Sequence, residues 1–194
     1  SYYNKTASTD KSNTTSTKLN SNKNAIAQKR ELTEVKDAAD SLYEAAGKLT
    51  DTSTSKSLFK KADKVTNDIT SAVKDYVKNY NSLIEEAADT TNSKVTGKVS
   101  FMTGQANAYK SSLEKVGITI NSDKTLSIDE DTFKKSDISD VKKLFNGSGS
   151  MAYQTFVRAS DISSAAENAS ASVTSYGADG MYNNYYNSAY NWYL

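Results

Sequence analysis

Apolar residues recur along this chain at alternating steps of three and four, with only a few interruptions. Leu32, Val35, Ala39, Leu42, Ala46 and Leu49 form the first seam. That spacing marks a helix packing along a narrow edge and predicts helix over Ser21–Leu49. Glu31, Glu34, Lys36 and Asp37 fall off the seam and face water. The polar stretch Thr50–Ser55 reads as a turn whose hydroxyls can cap the next helix. From Leu58 to Ala87 the apolar stripe widens to take in Ala62, Val65, Ile69, Ala72, Val73, Tyr76, Val77, Tyr80, Leu83 and Ile84. A stripe wider than a two-stranded seam must touch more than one partner, so a helix over Lys56–Ala88 is predicted at the centre of a bundle.

Val99, Met102, Ala106, Tyr109, Leu113 and Val116 continue the three-four pattern and predict a helix over Thr96–Val116. Gly117 stands where a helix would stop. The period then drops to two: Ile118 and Ile120 alternate with polar neighbours, as do Leu126 and Ile128, around the turn cluster Asn121-Ser122-Asp123-Lys124. This is a β-hairpin near 118–128, and a lone hairpin must rest its apolar face on the helices. Asp129-Glu130-Asp131 and Ser136-Asp137 precede short apolar groups and read as helix starts. After the Gly/Ser break Asn146–Ser150, Ala152, Ala159, Ile162, Ala166, Ala169, Val173 and Tyr176 predict a last helix over Met151–Tyr176. An alanine seam permits close approach but buries little area, so this helix should peel most easily from the bundle. The fold class is thus mainly α: an elongated antiparallel helical bundle over 21–176 with a small inserted hairpin. Residues 1–20 are polar and aperiodic and read as disordered. Residues 177–194 form a Tyr-rich tail.

Composition narrows the chemistry. The 194 residues carry 24 basic and 23 acidic side chains, a net charge of +1, with no His, Cys or Pro. Interleaved charge of this kind lacks the concentrated basic face of a nucleic-acid binder. Without Cys there are no disulfides or thiolate sites, and without His the commonest general base and transition-metal ligand are missing. No apolar run approaches the ~20 residues of a membrane span.

Candidate chemistry reduces to a few clusters. Asp123, Asp129, Glu130 and Asp131 suggest a cation site only loosely, since the calcium-loop ladder and its Gly are absent; turn and capping roles fit better. Gly147-Ser148-Gly149 has the composition of a phosphate loop but no following Lys-Ser/Thr, and reads as a linker. A Ser–Lys pair is conceivable, yet nothing singles one out. The expectation is therefore a protein that is not an enzyme, with no catalytic residues, no metal and no cofactor. The tail carries Tyr182, Tyr185, Tyr186, Tyr190, Trp192 and Tyr193. Aromatics with polar tips favour contact surfaces, which makes Tyr182, Tyr186, Tyr190 and Trp192 the candidate protein-contact residues.

The segments YVKNYNSLIEE and LEKVGITINSDKTLSIDEDTFKKSDISDVKKLF, within Tyr76–Phe145, resemble the helical core of the bacterial flagellar filament cap proteins, the hook-associated protein 2 family. The family pattern runs F/Y-V-x-x-Y-N, then Leu-x-x-x-Gly-Ile into a hairpin with a D-G-T-L turn, then Leu-x-x-Asp and V-x-x-L-F. Here Lys124 stands at the turn Gly, which calls for a different turn. The short link between the first two predicted helices leaves no room for the family's β-rich plate domains. The resemblance implies an exported, structural, self-associating component of the flagellum or bacterial cell surface, with itself or other flagellar or surface proteins as partners. The alternative is a cell-surface adhesin, taking a host or matrix glycoprotein through the hairpin end or the tail.

Overall fold

The computed structural model describes residues 10–53 and 55–175. The chain runs α1 (Asp10–Thr50), α2 (Asn67–Asp89), α3 (Ser93–Ala106), a 3-10 turn (Asn107–Tyr109), α4 (Lys110–Lys115), β1 (Ile118–Ile120), β2 (Leu126–Ile128), α5 (Glu130–Lys135), α6 (Ile138–Phe145) and α7 (Met151–Ser175). Among the described residues, long helices pack on one another and carry one small two-stranded antiparallel sheet, as the hydrophobic pattern predicts.

The axis of the molecule is the pair α1 and α7. Phe156 lies against Gly47, Ser163 bonds Asp40, and Glu167 faces Lys36, so the two helices run antiparallel. Their shared seam is fully buried at Leu32, Val35, Ala39, Leu42, Ala46, Ala152, Ala159, Ile162 and Ala166. At ~1.5 Å per residue α1 is on the order of 60 Å long, which sets the elongated shape. It begins at Asp10, well ahead of the predicted start at Ser21. Periodicity could not register this first stretch because Ser, Thr, Asn and Lys carry no apolar signal. Extending a formed helix needs no new nucleus, so a polar sequence suffices.

Helix α2 starts at Asn67, not at Lys56. Lys48 at the end of α1 pairs with Asp75, 3.8 Å away. A helix begun at Lys56 would start roughly 28 Å before Asp75. The link Asp51–Ser55 spans only about 20 Å even when extended, so it could not reach. The chain instead turns back: Asp51 accepts from the Ser53 amide at 2.7 Å, Phe59 is buried in the core, and the Lys142 ammonium donates to the Ala62 carbonyl at 2.9 Å. Thr66 then caps α2 by accepting from the Ile69 amide at 3.2 Å. From that point the predicted stripe is the buried face: Ile69, Val73, Tyr76, Val77, Tyr80, Leu83 and Ala87. Asn92 caps α3 through the Val95 amide.

The helix predicted over Thr96–Val116 is interrupted at Asn107–Tyr109 by the 3-10 turn. Gly117 ends α4 at φ +77, and a Cβ there would sit 2.9 Å from the Thr132 side chain. Only glycine fits that position without strain. The strands pair Ile118 with Ile128, Thr119 with Ser127 and Ile120 with Leu126. Ile118 and Leu126 point into the core beside Phe133, which α5 supplies.

Residues 1–9 and the Tyr-rich segment with Tyr182, Tyr186, Tyr190 and Trp192 lie outside the described residues.

Candidate functional site

The hairpin turn is closed by side chains. Asn121 accepts at its carbonyl from the Lys124 amide at 3.0 Å, and its own amide donates to the Thr125 carbonyl at 2.8 Å. Lys124 sits at φ 74. A lysine therefore holds the left-handed conformation that glycine adopts freely, at a cost of about 1–2 kcal/mol. Asp123 offsets part of that cost by accepting from the Thr125 amide at 3.0 Å and the Thr125 hydroxyl at 2.6 Å. Those bonds hold the Asp123 carboxyl below its ordinary range, the Thr125 hydroxyl first among them.

Asp129, Glu130 and Asp131 serve as the start of α5. Asp129 accepts from the Asp131 and Thr132 amides and from the Thr132 hydroxyl at 2.7 Å, which lowers its pKa. Glu130 is paired with Lys74 of α2 and Lys134 of its own helix, and the Lys74 hydrogen bond is the main cause of its lowered pKa. Asp137 caps α6 through the Ser139 amide at 2.7 Å. Among the described residues no group of three or more acidic, His or Cys side chains converges as a metal site. Gly147 turns at φ +80, and Ser150 closes that turn by donating to the Gly147 carbonyl and accepting from the Tyr153 amide. Gly147-Ser148-Gly149 is thus the capped link into α7.

One serine does meet a charged pair. The Ser163 hydroxyl donates to Asp40 at 2.6 Å, and Lys36 donates to the other oxygen of the same carboxylate at 2.6 Å. Burial works against the Asp40 charge, but the two donors outweigh it and its pKa is lowered. Lys36 is correspondingly raised, chiefly by its bond to Asp40. In a Ser–Lys pair the lysine acts as the base, as a neutral amine at the serine hydroxyl. Here the lysine is held charged on the far side of a carboxylate, so the trio is a bridge between α1 and α7.

A second junction ties the two strongest sequence features together. Ile120 and Leu126 face each other without exchanging bonds, so the Leu126 amide and carbonyl point off the strand edge. The Asn81 side chain takes both: its oxygen accepts from the Leu126 amide at 2.7 Å and its nitrogen donates to the Leu126 carbonyl at 2.9 Å. Asn81 of α2 thereby grips the hairpin at Leu126. Sequence reading missed this clasp. Its only signal was a short amide in a run of apolar residues. Nearby, Tyr76 bonds Thr155 of α7 at 2.8 Å, while the buried Tyr80 hydroxyl has no partner among the described residues. Burial pushes both phenols far up, so both stay neutral.

Two surface features remain. Tyr43 of α1 stacks on Phe156 of α7 with ring centroids 4.2 Å apart, and Tyr153 continues the stack at 6.1 Å. Tyr43 is 38% and Tyr153 36% exposed, which leaves an aromatic ridge on the flank of the rod. Further along, α1 and α7 extend beyond the α2–α3 turn. Between them and the start of α3 opens a groove of about 1470 Å³, floored by Ala25, Ile26, Ala165, Ala169 and Val173 and rimmed by Asn and Ser side chains together with Lys94, Lys98 and Asp161. Ile26 is 71% exposed there.

Among known proteins, no family model, no curated sequence and no solved structure matches this chain.

Proposed function

We propose that this protein is an exported structural component of the bacterial flagellum or cell surface, acting through helix–helix assembly and resembling the helical legs of a flagellar cap. The observation that carries the reading is the aromatic ridge Tyr43–Phe156–Tyr153 on the flank of a long antiparallel helix pair. Stacked aromatics left open on a rigid rod are contact surface, since they bring large area at little entropic cost. The Asn81–Leu126 clasp adds support: two separate pieces of the resembling pattern are one physical unit. The partners of this reading are further copies of the chain or other flagellar or surface proteins.

Sedimentation equilibrium tests it. The mass should rise with concentration, and Tyr43→Ala with Tyr153→Ala should weaken the association by about 1–3 kcal/mol in total. Both rings are partly exposed, so the helical circular dichroism should not change. A chain that stays monomeric to millimolar concentration and binds none of the isolated flagellar components refutes assembly. Binding of that monomer to immobilised glycoprotein would favour the adhesin instead.

A further inference from the structure

Phe101 of α3 is 54% exposed, well beyond either open tyrosine of the ridge. Val95, Val99, Met102 and Ala106 turn one side of α3 into the core. Lys94, Gly97, Phe101 and Gly104 follow at steps of three and four on the other side. A Cβ at Gly97 or Gly104 would meet nothing within 4 Å, so the surface on both sides of the ring is open. Arg158 of α7 lies over the Phe101 ring, 4.8 Å from its centre. It is held there by the Gln105 side-chain oxygen, which accepts from Nε at 3.1 Å, and by Asp161 at 3.1 Å. Lys94 and Lys98 line the same hollow, of about 290 Å³. Neither lysine forms an ion pair among the described residues. Three cations against the one carboxylate of Asp161 leave this patch a net charge of +2.

The ridge Tyr43–Phe156–Tyr153 has the opposite sign. Glu44 adjoins Tyr43, and Asp40 stands three residues before it, one turn away on the same side of α1. Lys36 is bonded to Asp40 and lies near Glu167 and Asp37. Lys29 follows along the furrow that Lys36 and Glu167 line between α1 and α7. Asp37, Asp40, Glu44 and Glu167 against Lys29 and Lys36 leave a net charge of −2. Lys48 points away from this flank to Asp75 of α2.

The two surfaces look in opposite directions. Phe156 stacks on Tyr43 of α1, while Arg158 covers Phe101 of α3. Two residues apart on one helix, these side chains point about 160° apart and sit only about 3 Å apart along the axis. One molecule cannot bring its own patch to its own ridge, but a neighbour set beside it at the same level can.

We propose that copies of this chain associate side by side in a heterologous contact, the Phe101 patch of one docking on the Tyr43–Phe156–Tyr153 ridge of the next. The open rings cover one another, and Lys94, Lys98 and Arg158 face the carboxylates along the ridge. Each copy keeps a patch free on one side and a ridge free on the other. The contact therefore does not close on a dimer but repeats into a row or a ring. The inference rests on the assembly reading and adds the surface that the ridge meets.

Sedimentation of two variants and of their mixture tests it. Lys98→Glu with Phe101→Ala removes the patch and leaves the ridge; Tyr43→Ala with Tyr153→Ala does the reverse. All four positions are exposed or partly so, and circular dichroism should match the parent. The parent should grow beyond a dimer as its concentration rises, and its association should weaken several-fold between about 50 and 500 mM salt. Each variant alone should associate only at concentrations about tenfold or more above the parent's. At the parent's own concentration an equimolar mixture should form a heterodimer and nothing larger, since that contact leaves only the two altered faces outside. A patch variant that assembles like the parent overturns the proposal. So does a mixture that stays monomeric, or a parent that stops at a dimer, the mark of an isologous contact. In each of these cases the parent still associates, so the assembly reading stands while this one fails. A parent that is monomeric throughout removes both.

Discussion

Asn81 holds the hairpin by its backbone, and that makes it a sharper probe than any hydrophobic residue around it. Its two bonds to Leu126 satisfy a half-buried amide and carbonyl on an edge of the strand. Asn81→Ala removes both partners and should destabilise the protein by about 1–3 kcal/mol, the cost of leaving buried backbone groups unpaired. Asn81→Asp keeps the acceptor for the Leu126 amide but sets an oxygen against the Leu126 carbonyl, so it should be no better than alanine. Urea unfolding of the three chains decides this; an aspartate variant as stable as the parent would show that the carbonyl bond contributes nothing. Lys124 makes the complementary point. The chain tolerates a side chain at φ 74 because Asp123, Thr125 and Asn121 close the turn around it.

At the scale of elements, carboxylates at helix starts and turns set the response to pH. Asp129 and Asp137 cap α5 and α6, Asp123 closes the hairpin, and Asp140 takes Lys115 of α4 at 2.6 Å. All four have folded pKa values below their ordinary range, through hydrogen bonds from Thr132, Ser139, Thr125 and Lys115 respectively. A depressed folded pKa means that the unfolded chain takes up protons first, near pH ~3.9 for aspartate. That stabilisation is therefore complete above about pH 5 and is lost as pH falls through the lowered folded values. Lys36 and Lys115 are shifted the other way, upward, by Asp40 and Asp140. Their contribution is complete below about pH 10 and is lost as pH rises beyond it. With no histidine, nothing of this kind titrates between. The melting temperature should be flat from pH 6 to pH 8 and fall steeply below pH 4, and Asp129→Asn with Asp137→Asn should make the acid limb shallower. Melting curves in matched ionic strength check both; a melting temperature that climbs on acidification would contradict the capping assignment.

The same elements show what periodicity can carry. Seams that repeat at three and four located α2 from Ile69 onward and α7 almost to the residue, because buried faces and apolar spacing are the same fact. The hairpin was legible from the switch to period two, and the acid clusters from their place before apolar runs. The start of α2 was not legible. Leu58, Ala62 and Val65 have helical spacing, but the Lys48–Asp75 contact sets the register of α1 on α2 and leaves that stretch no straight path. Asn81 and the Lys36–Asp40–Ser163 bridge were hidden for a related reason: polar clasps depend on residues far apart in sequence meeting at one point, and no local pattern encodes that.

For the whole molecule, burial is uneven along the rod, and stability should follow it. At one end Tyr76, Tyr80, Phe59, Phe133 and Phe145 are fully buried around the hairpin and the short helices. Tyr76 and Phe145 pack edge to face at 5.7 Å, and Phe133 meets Phe145 at 6.5 Å. At the other end, none of the α1 positions from Asn20 to Glu31 is buried, and neither is any α7 position from Glu167 to Val173. Two helices sharing only part of an alanine-rich seam cannot hold their backbone bonds as firmly as a helix inside the aromatic core. Hydrogen exchange should therefore grade along α1. Amides of 20–31 should exchange at least about a hundredfold faster than those of 76–83, which corresponds to a gap near 3 kcal/mol in local opening. Uniform protection along α1 would mean that the rod opens as one cooperative unit. The distal pair would then draw its stability from the aromatic core through the continuous helices, not from the surfaces beside it.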